Sequence, residues 1–494
     1  MEALIKPIKV KADVENFTLD DSEANQPLSP VARMFHEPDS NVYISAMIGL
    51  KTKINAEVVK ANLVHTLLKH SRFSSLQVVD EMNGGRLIWV PTEVNLDNHV
   101  IVPKLDPNDI DSPDKFVEDY ISNLSKNKIK MSMPMWDLHL LNVKTSEAES
   151  VSVLRVHHSL GDGTSLMSLF LACTRKVSNP TEPPTIPMVK KANSGKSSRG
   201  LKGKFIKLWL AMWLLWNTLV DVMMFLATTL MLIKDTKTPL KGPLGFGSSP
   251  RRFVHRSVSL DDIKLIKNST RTTINDVMLG VTQAGLSRYL NRKYGESNKI
   301  DNGSSEEVTI FQEYCLRATF FMNLRPIQGF SECPITMKKG TKAKWGNQIG
   351  YLIYPFTIAL RDNPLDYLRE AKAAMDRKKA SLEAFSYFLA KYFLKLIFFN
   401  HMNRWRAFHL NNIVVLKCGW PQEEISLFGH PVAYIAPSCF GQPNGLMIHV
   451  VSYANKMTFI LSVDDDIIPD PHQLCDDLEV SLNRIKLPSL ISRG

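Results

Sequence analysis

Seven consecutive residues, His157-His158-Ser159-Leu160-Gly161-Asp162-Gly163, crowd two imidazoles, a carboxylate and two glycines into one short run. A neutral imidazole removes a proton from an alcohol as its oxygen attacks an activated carbonyl, since the unperturbed pKa of about 6.5 lies near the working pH. Asp162 either pairs with a basic residue such as Arg325 or caps the helix that follows. Two histidines and an acid would also suit a metal. Neighbouring residues on a strand project to opposite faces, however, and no third ligand cluster stands nearby, so a metal is discounted. No Gly-x-Ser-x-Gly elbow and no Gly-rich phosphate loop offers a competing chemistry.

The flanks say how such a run is presented. Val151 to Val156 alternates apolar and polar residues and is rich in β-branched ones, which predicts a strand entering the first histidine. Leu166, Leu169, Phe170 and Cys173 then recur at helical spacing. The motif therefore occupies a strand-to-helix connection, where side chains are aimed into a cleft and glycine admits a ligand closely. A second strand, Asp137 to Val143, follows the break at Met131 to Trp136 and turns at Thr145 to Ser150 into the histidine strand.

Elsewhere the pattern is mixed α/β. Residues 41 to 50 read as a buried strand, Ala56 to His70 as a helix, and Asn83-Gly84-Gly85 as the turn of a hairpin. Asp111 to Lys128 is helical. Past the middle, Phe253 to Val258 opens a second set of elements, and two helices follow with capping boxes at Ser259 to Asp262 and Thr273 to Asp276. The second of these is expected to end at Tyr294, with a polar surface loop over 295 to 307. Strands at Thr319 to Met322 and Tyr351 to Phe356, an amphipathic helix Pro364 to Lys379, an aromatic helix through Phe385 to Phe399, strands within Pro431 to Val463 and a closing helix Pro471 to Ile485 complete the chain.

At 494 residues the chain exceeds what one hydrophobic core supports, so two domains are expected: 1–186 carrying the histidines, 251–494, and a basic, hydrophobic connection over 187–250. The formal charge of +11 suits an anionic partner: nucleic acid, an acidic membrane surface or a phosphorylated cofactor. No zinc-finger spacing or RNA-binding motif is present, and nucleic acid ranks last. Six scattered cysteines read as buried free thiols in a reducing compartment. The first twenty residues lack the apolar core of a signal peptide.

Phe205 to Ile233 is the most hydrophobic segment, interrupted by Lys207 and Asp221, and seven basic residues lie between Lys190 and Lys207. Its length would cross a bilayer, but an aspartate at mid-depth costs roughly 2.5 to 3.5 kcal/mol. A span, a helix in the interface with Trp209, Trp213 and Trp216 at headgroup level, and a core helix are the alternatives. The basic run favours contact with anionic lipid.

His157 to Gly163 matches the His-His-x-x-x-Asp-Gly signature of the wax ester synthase and diacylglycerol acyltransferase family, within the larger group that resembles chloramphenicol acetyltransferase. Pro27-Leu28-Ser29-Pro30, Pro134-Met135-Trp136, Asn275-Asp276, Asn323 with Arg325, and Gly346-Asn347 follow in the family's order, over nearly the whole chain.

The resemblance implies two chloramphenicol acetyltransferase-like α/β domains, mixed sheets flanked by helices, around a central tunnel. It implies acyl-coenzyme A (acyl-CoA) as co-substrate with no bound cofactor, a long-chain fatty alcohol or diacylglycerol as acceptor, and a membrane partner. The endoplasmic reticulum membrane or the plasma membrane would be the location, with the catalytic domains cytosolic. His158 would be the general base, with Asp162 structural, His157 supporting the loop and Gly163 leaving room for substrate. Asn275 and Asp276 would lie near the tunnel, Asn323 and Arg325 would hold the site together, and Asn347 would stand near the developing oxyanion; Pro134 and Trp136 belong with the tunnel or the framework. The chain departs from the family at Asn411 to Pro421, where Ser-Asn-x-x-Gly-Pro is usual. A soluble acyltransferase for a small phenolic or amine acceptor, or a catalytically impaired lipid-binding relative, are the alternative functions.

Overall fold

The computed structural model describes residues 26–37, 40–106, 110–185, 201–229, 240, 250–302, 314–324, 345–382, 413–419, 421–442 and 444–491. The first half of the chain runs α1 (Pro30–Met34), β1 (Tyr43–Leu50), α2 (Ala56–His65), β2 (Ser75–Asp80), β3 (Arg86–Pro91), β4 (Val100–Ile101), α3 (Pro113–Lys126), β5 (Trp136–Leu141), β6 (Ser150–His157), α4 (Gly163–Ala172) and β7 (Thr174–Lys176). Then follow α5 (Leu201–Thr229), β8 (Arg251–Ser259), α6 (Leu260–Thr270), α7 (Ile274–Asn302), β9 (Tyr314–Asn323), β10 (Ile349–Ile358), α8 (Asp366–Lys379), β11 (Ile413–Gly419), β12 (Ile425–Leu427), β13 (His430–Phe440), β14 (Leu446–Tyr453), β15 (Lys456–Asp464) and α9 (Pro471–Ile491).

Two mixed sheets organise these elements. The first has the order β4-β5-β6-β1-β13-β12-β7 and the second β10-β9-β11-β14-β15-β8; β2 and β3 form a separate hairpin. Its turn needs its glycines, because Gly84 and Gly85 have φ of +78° and +70°. Strands β12 and β13, late in the sequence, complete the first sheet: β1 pairs with β6 on one edge and with β13 on the other along all eight of its residues. The two halves of the chain are thus woven together rather than docked as beads.

One apolar core packs the first sheet with Phe73, Trp136 and Leu141 among its buried members, and another packs the second with Phe356, Phe459 and Leu478. The alternation read along Val151 to Val156 does not mark a wetted face, since Ser152 and Arg155 are buried too. Arg155 tolerates burial because its guanidinium grips Asp137 on β5 with two nitrogens and donates to the carbonyls of Leu124 and Asn127 at the end of α3.

At α6 only half of the expected capping box forms, with Asp262 N donating to Ser259 Oγ at 3.4 Å while the Asp262 carboxylate pairs with Lys486. At α7 the exchange is reciprocal: Asp276 N donates to Thr273 Oγ1 at 3.2 Å and Thr273 N to Asp276 Oδ2 at 2.8 Å. The loop expected over 295–307 is corrected over 295–302, where α7 continues to Asn302; residues 303–307 lie outside the described residues. A single glycine, Gly295, costs a helix only about 1 kcal/mol, and the polar residues after it are compatible with helix. The aromatic helix through Phe385 to Phe399 lies outside the described residues, as do Asn411, Asn412 and Trp420 of the departing stretch.

Over its described residues, 205–229, the hydrophobic segment lies in one helix, α5, and it is not a core helix. Among its described side chains Phe205, Leu208, Trp209, Met212, Leu215 and Leu219 are exposed.

Candidate active site

The site is built where β6 ends. His157 closes the strand, residues 158 to 161 turn, and α4 begins at Gly163 with Asp162 as its N-cap. Asp162 Oδ1 accepts from Ser165 N at 2.9 Å, and Oδ2 accepts from Gln348 N at 2.9 Å. One carboxylate thereby caps a helix and ties the histidine turn to the segment 345–348 that leads into β10. The helix-capping alternative for Asp162 is realised; Arg325, its other suggested partner, lies outside the described residues.

Segment 345–348 answers with four more bonds. Trp345 Nε1 donates to the Leu160 carbonyl at 2.7 Å, and Ser165 Oγ donates to the Gly346 carbonyl at 3.2 Å. Asn347 Nδ2 donates to the His158 carbonyl at 3.0 Å, while its Oδ1 lies 3.1 Å from His158 Nδ1. With the nitrogen end of the amide donating to the carbonyl, the oxygen end faces the ring and accepts, so Nδ1 carries the proton and Nε2 the lone pair. Asn347 therefore positions the ring of His158. The segment turns sharply at Gly346, whose φ of +113° excludes a side chain.

His157 points elsewhere. Its Nε2 lies 3.0 Å from the Phe35 carbonyl and 3.2 Å from Asn41 Oδ1, both acceptors, so this nitrogen donates. Nδ1 then accepts from Ser159 Oγ at 2.6 Å, Ser159 Oγ accepts from Gln77 Nε2 at 2.8 Å, and Gln77 Oε1 accepts from His36 Nε2 at 2.6 Å. Burial, with His36 close by, holds the His157 imidazole well below its ordinary pKa. A neutral, doubly bonded ring makes His157 a strut for the turn.

Phe35 serves both histidines: its carbonyl holds His157 and its ring stacks on His158 with centroids 4.2 Å apart. Sequence reading missed Phe35, although it stands just past Pro27 to Pro30; it also missed Gln77, Trp345 and Gln348, whose roles depend on contacts distant in sequence. Of the residues singled out, the structure gathers His157, His158, Asp162 and Asn347. Asn323 adjoins them through its backbone, since it pairs with Ile349 and Leu324 N donates to Gln348 O at 3.1 Å.

The others serve the framework. Trp136 is fully buried, stacks on His99 and donates from Nε1 to the Phe73 carbonyl at 2.9 Å, and buried Pro134 accepts from Trp136 N. Asp276 is spent on its capping box, and Asn275 is exposed in the first turn of α7. Gly163 is exposed, and a Cβ on it would meet no atom within 4 Å. Among the described residues no three His, Cys, Asp or Glu side chains converge to hold a metal.

Two mixed sheets meeting at a strand-to-helix histidine turn give the chain a chloramphenicol acetyltransferase-like fold. The solved wax ester synthase/diacylglycerol acyltransferase from Marinobacter aquaeolei VT8 has this fold, with a TM-score of 0.59 and 17% identity, covering 94% of this chain and 99% of that one. A starter condensation domain of rhizomide synthetase, solved with C8-CoA, gives a TM-score of 0.51 at 11% identity over 95% of each chain. The wax ester synthase/diacylglycerol acyltransferase catalytic domain matches residues 30–278, and the WS/DGAT C-terminal domain matches 345–486. Arabidopsis thaliana wax ester synthase/diacylglycerol acyltransferase 5 is 46% identical over 97% of this chain and 95% of its own, and number 11 is 44% identical over 95% and 96%. The chain belongs to the wax ester synthase/diacylglycerol acyltransferase family, and it is an acyltransferase.

Proposed function

We propose that the protein transfers a fatty acyl group from acyl-CoA to the hydroxyl of a long-chain alcohol or of diacylglycerol, with His158 as general base. Nε2 takes the hydroxyl proton as the oxygen bonds to the thioester carbonyl carbon; collapse of the tetrahedral intermediate breaks the carbon–sulfur bond, and the same proton passes to the departing thiolate. No acyl-enzyme is required. The observation that carries this reading is the pair of bonds between Asn347 and His158, which gives the ring the tautomer a base needs. The relatives' activities, wax ester synthesis and diacylglycerol acylation, supply the chemistry of the acceptor, and the C8-CoA complex of the condensation domain supports a coenzyme A thioester as donor.

We further place the reaction at a membrane, on the cytosolic face of the endoplasmic reticulum or plasma membrane, with acyl donor and acceptor meeting in a tunnel at His158. The exposed apolar residues of α5 support this placement and weigh against the soluble, small-acceptor alternative. The net charge of +11 suits a donor that carries phosphates.

The test is His158→Ala in purified protein supplied with palmitoyl-CoA and either hexadecanol or diacylglycerol, following both ester and released thiol. Loss of about 10²- to 10⁴-fold in kcat with an unchanged circular dichroism spectrum is expected. Unchanged turnover would refute the assignment.

A further inference from the structure

We infer that α5 is a one-sided anchor: it seats in the near leaflet of an anionic phospholipid surface, leaves both halves of the chain on the same side, and is buckled to the catalytic body through Asp221. This rests on the membrane reading above and decides how the membrane is met.

Strand pairing excludes a single crossing. A span at α5 would put residues 26–185 and 250–491 on opposite sides of a bilayer. Yet β1 and β13 pair from Tyr43 opposite Phe440 to Leu50 opposite Val432, and β7 pairs with β12. A return crossing needs about 20 apolar residues. Between Thr229 and Arg251 the apolar run Leu230-Met231-Leu232-Ile233 stops at Lys234, and the stretch before α5 is rich in Lys, Ser and Gly.

One stripe of the helix is already occupied by protein. Asn217 and Asp221 are only 4% and 1% exposed. Asp221 Oδ1 accepts from Arg377 Nη2 at 2.7 Å and from Lys378 Nζ at 2.9 Å. Asn217 Nδ2 donates to the Ala380 carbonyl at 3.0 Å, and Thr218 Oγ1 accepts from Leu382 N at 3.0 Å. The aspartate that made a mid-bilayer position costly is the buckle that fixes α5 to the end of α8.

A different stripe is turned outward. Trp209, Trp213 and Trp216, spaced by four and three residues, are 66%, 47% and 60% exposed. From Lys204 to Trp213 every residue is exposed, so the first turns of the helix stand clear of the body with apolar groups all round. Water does not favour so large a contiguous apolar surface, whereas tryptophan rings settle at headgroup depth. In the sequence, Lys190, Lys191, Lys196 and Arg199 precede α5 and Lys202, Lys204 and Lys207 fall in its first turns, a charge that favours an anionic lipid over a neutral one.

The experiment is flotation of the full-length protein with sealed vesicles of phosphatidylcholine alone or with phosphatidylserine, followed by protease digestion of the floated fraction. Binding is expected to the anionic vesicles, with affinity lowered about 100-fold in K202Q/K204Q/K207Q. It is expected to be abolished in W209S/W213S/W216S, whose folding is checked by circular dichroism. Fragments from both halves should be digested without detergent. Flotation with one half protected would overturn the one-sided anchor while leaving the membrane reading intact. No flotation, or self-association of the protein that disappears in the tryptophan variant, would overturn both; esterification of detergent-dispersed substrates by the wild type then tests the acyltransfer separately.

Discussion

Asn347 meets His158 with both ends of its amide, Nδ2 on the backbone carbonyl and Oδ1 on ring Nδ1, across 189 residues of sequence. Removing the amide frees the ring to turn and to exchange tautomers without touching the acyl donor. Asn347→Ala is therefore expected to lower kcat about 10²-fold or more, with KM for acyl-CoA little changed. Asn347→Asp keeps an acceptor for Nδ1 but adds a negative charge that favours the imidazolium. Its base must then be deprotonated at higher pH, so the acid limb of the kcat/KM profile should move to higher pH. Steady-state rates across pH measure both; a profile that does not move would remove Asn347 from contact with the ring.

Asp162 is the second tie between the halves, with one oxygen on Ser165 N and the other on Gln348 N. Asn in its place keeps one acceptor and turns an NH2 toward the remaining N–H, so one bond is lost and one buried donor is left facing another. Asp162→Asn should cost about 1–3 kcal/mol in denaturant unfolding. It should also lower kcat, because Gln348 adjoins Asn347. An unfolding midpoint equal to the wild type would argue against the bridge.

Whatever was local was legible. The strand into His157, the helix after Gly163, the hairpin at Gly84 and Gly85, and the capping box of Thr273 and Asp276 each depend on neighbours within four residues, and each formed as read. What escaped depends on partners far along the chain. The burial of Arg155 is one example, since its partner Asp137 sits on another strand. That Asn347 reaches His158 is announced by nothing in its sequence neighbourhood. The pairing of β13 with β1 leaves no trace in periodicity, and the proposed one-sided seating of α5 rests on it. Helix α7 outran its expected end because polar composition does not distinguish a solvated helix from a loop.

The two glycines of the motif are not equivalent. A Cβ on Gly161 would come within 3.2 Å of Trp345 Cζ2 and 3.3 Å of Ser165 Cβ, whereas one on Gly163 meets nothing within 4 Å. Gly161→Ala must push Trp345, whose ring nitrogen holds the Leu160 carbonyl, and is expected to cost about 1–3 kcal/mol and to depress kcat. Gly163→Ala, at the first position of α4, should leave the thermal midpoint equal or slightly raised. If it nonetheless raises KM for the acceptor, the open space at Gly163 is occupied by substrate. Thermal melts with initial-rate kinetics separate the two cases.

Buried imidazoles give stability a pH dependence of definite sign. Burial pushes His70 and His449 down to about 3. Burial first, then the nearby His36, lowers His157, and burial also lowers His36, His99 and His430. In the unfolded chain each takes a proton near pH 6.5, so below that point the unfolded state binds more protons than the folded one. The stabilisation they allow is full above about pH 6.5 and is lost as pH falls toward the folded values, by up to about 1.4 kcal/mol per pH unit for each histidine. Carboxylates titrate mainly lower, near pH 4, so the interval from about pH 7 to about pH 5 reports chiefly the histidines. Urea unfolding across it should show a falling midpoint at constant m-value. In His449→Gln one proton is removed from the balance, and the amide replaces the imidazole beside Ser438 Oγ, which lies 3.2 Å from His449 Nδ1. The slope should then flatten by about 1.4 kcal/mol per pH unit; an equal slope in wild type and variant would mean that His449 is protonated in the folded chain.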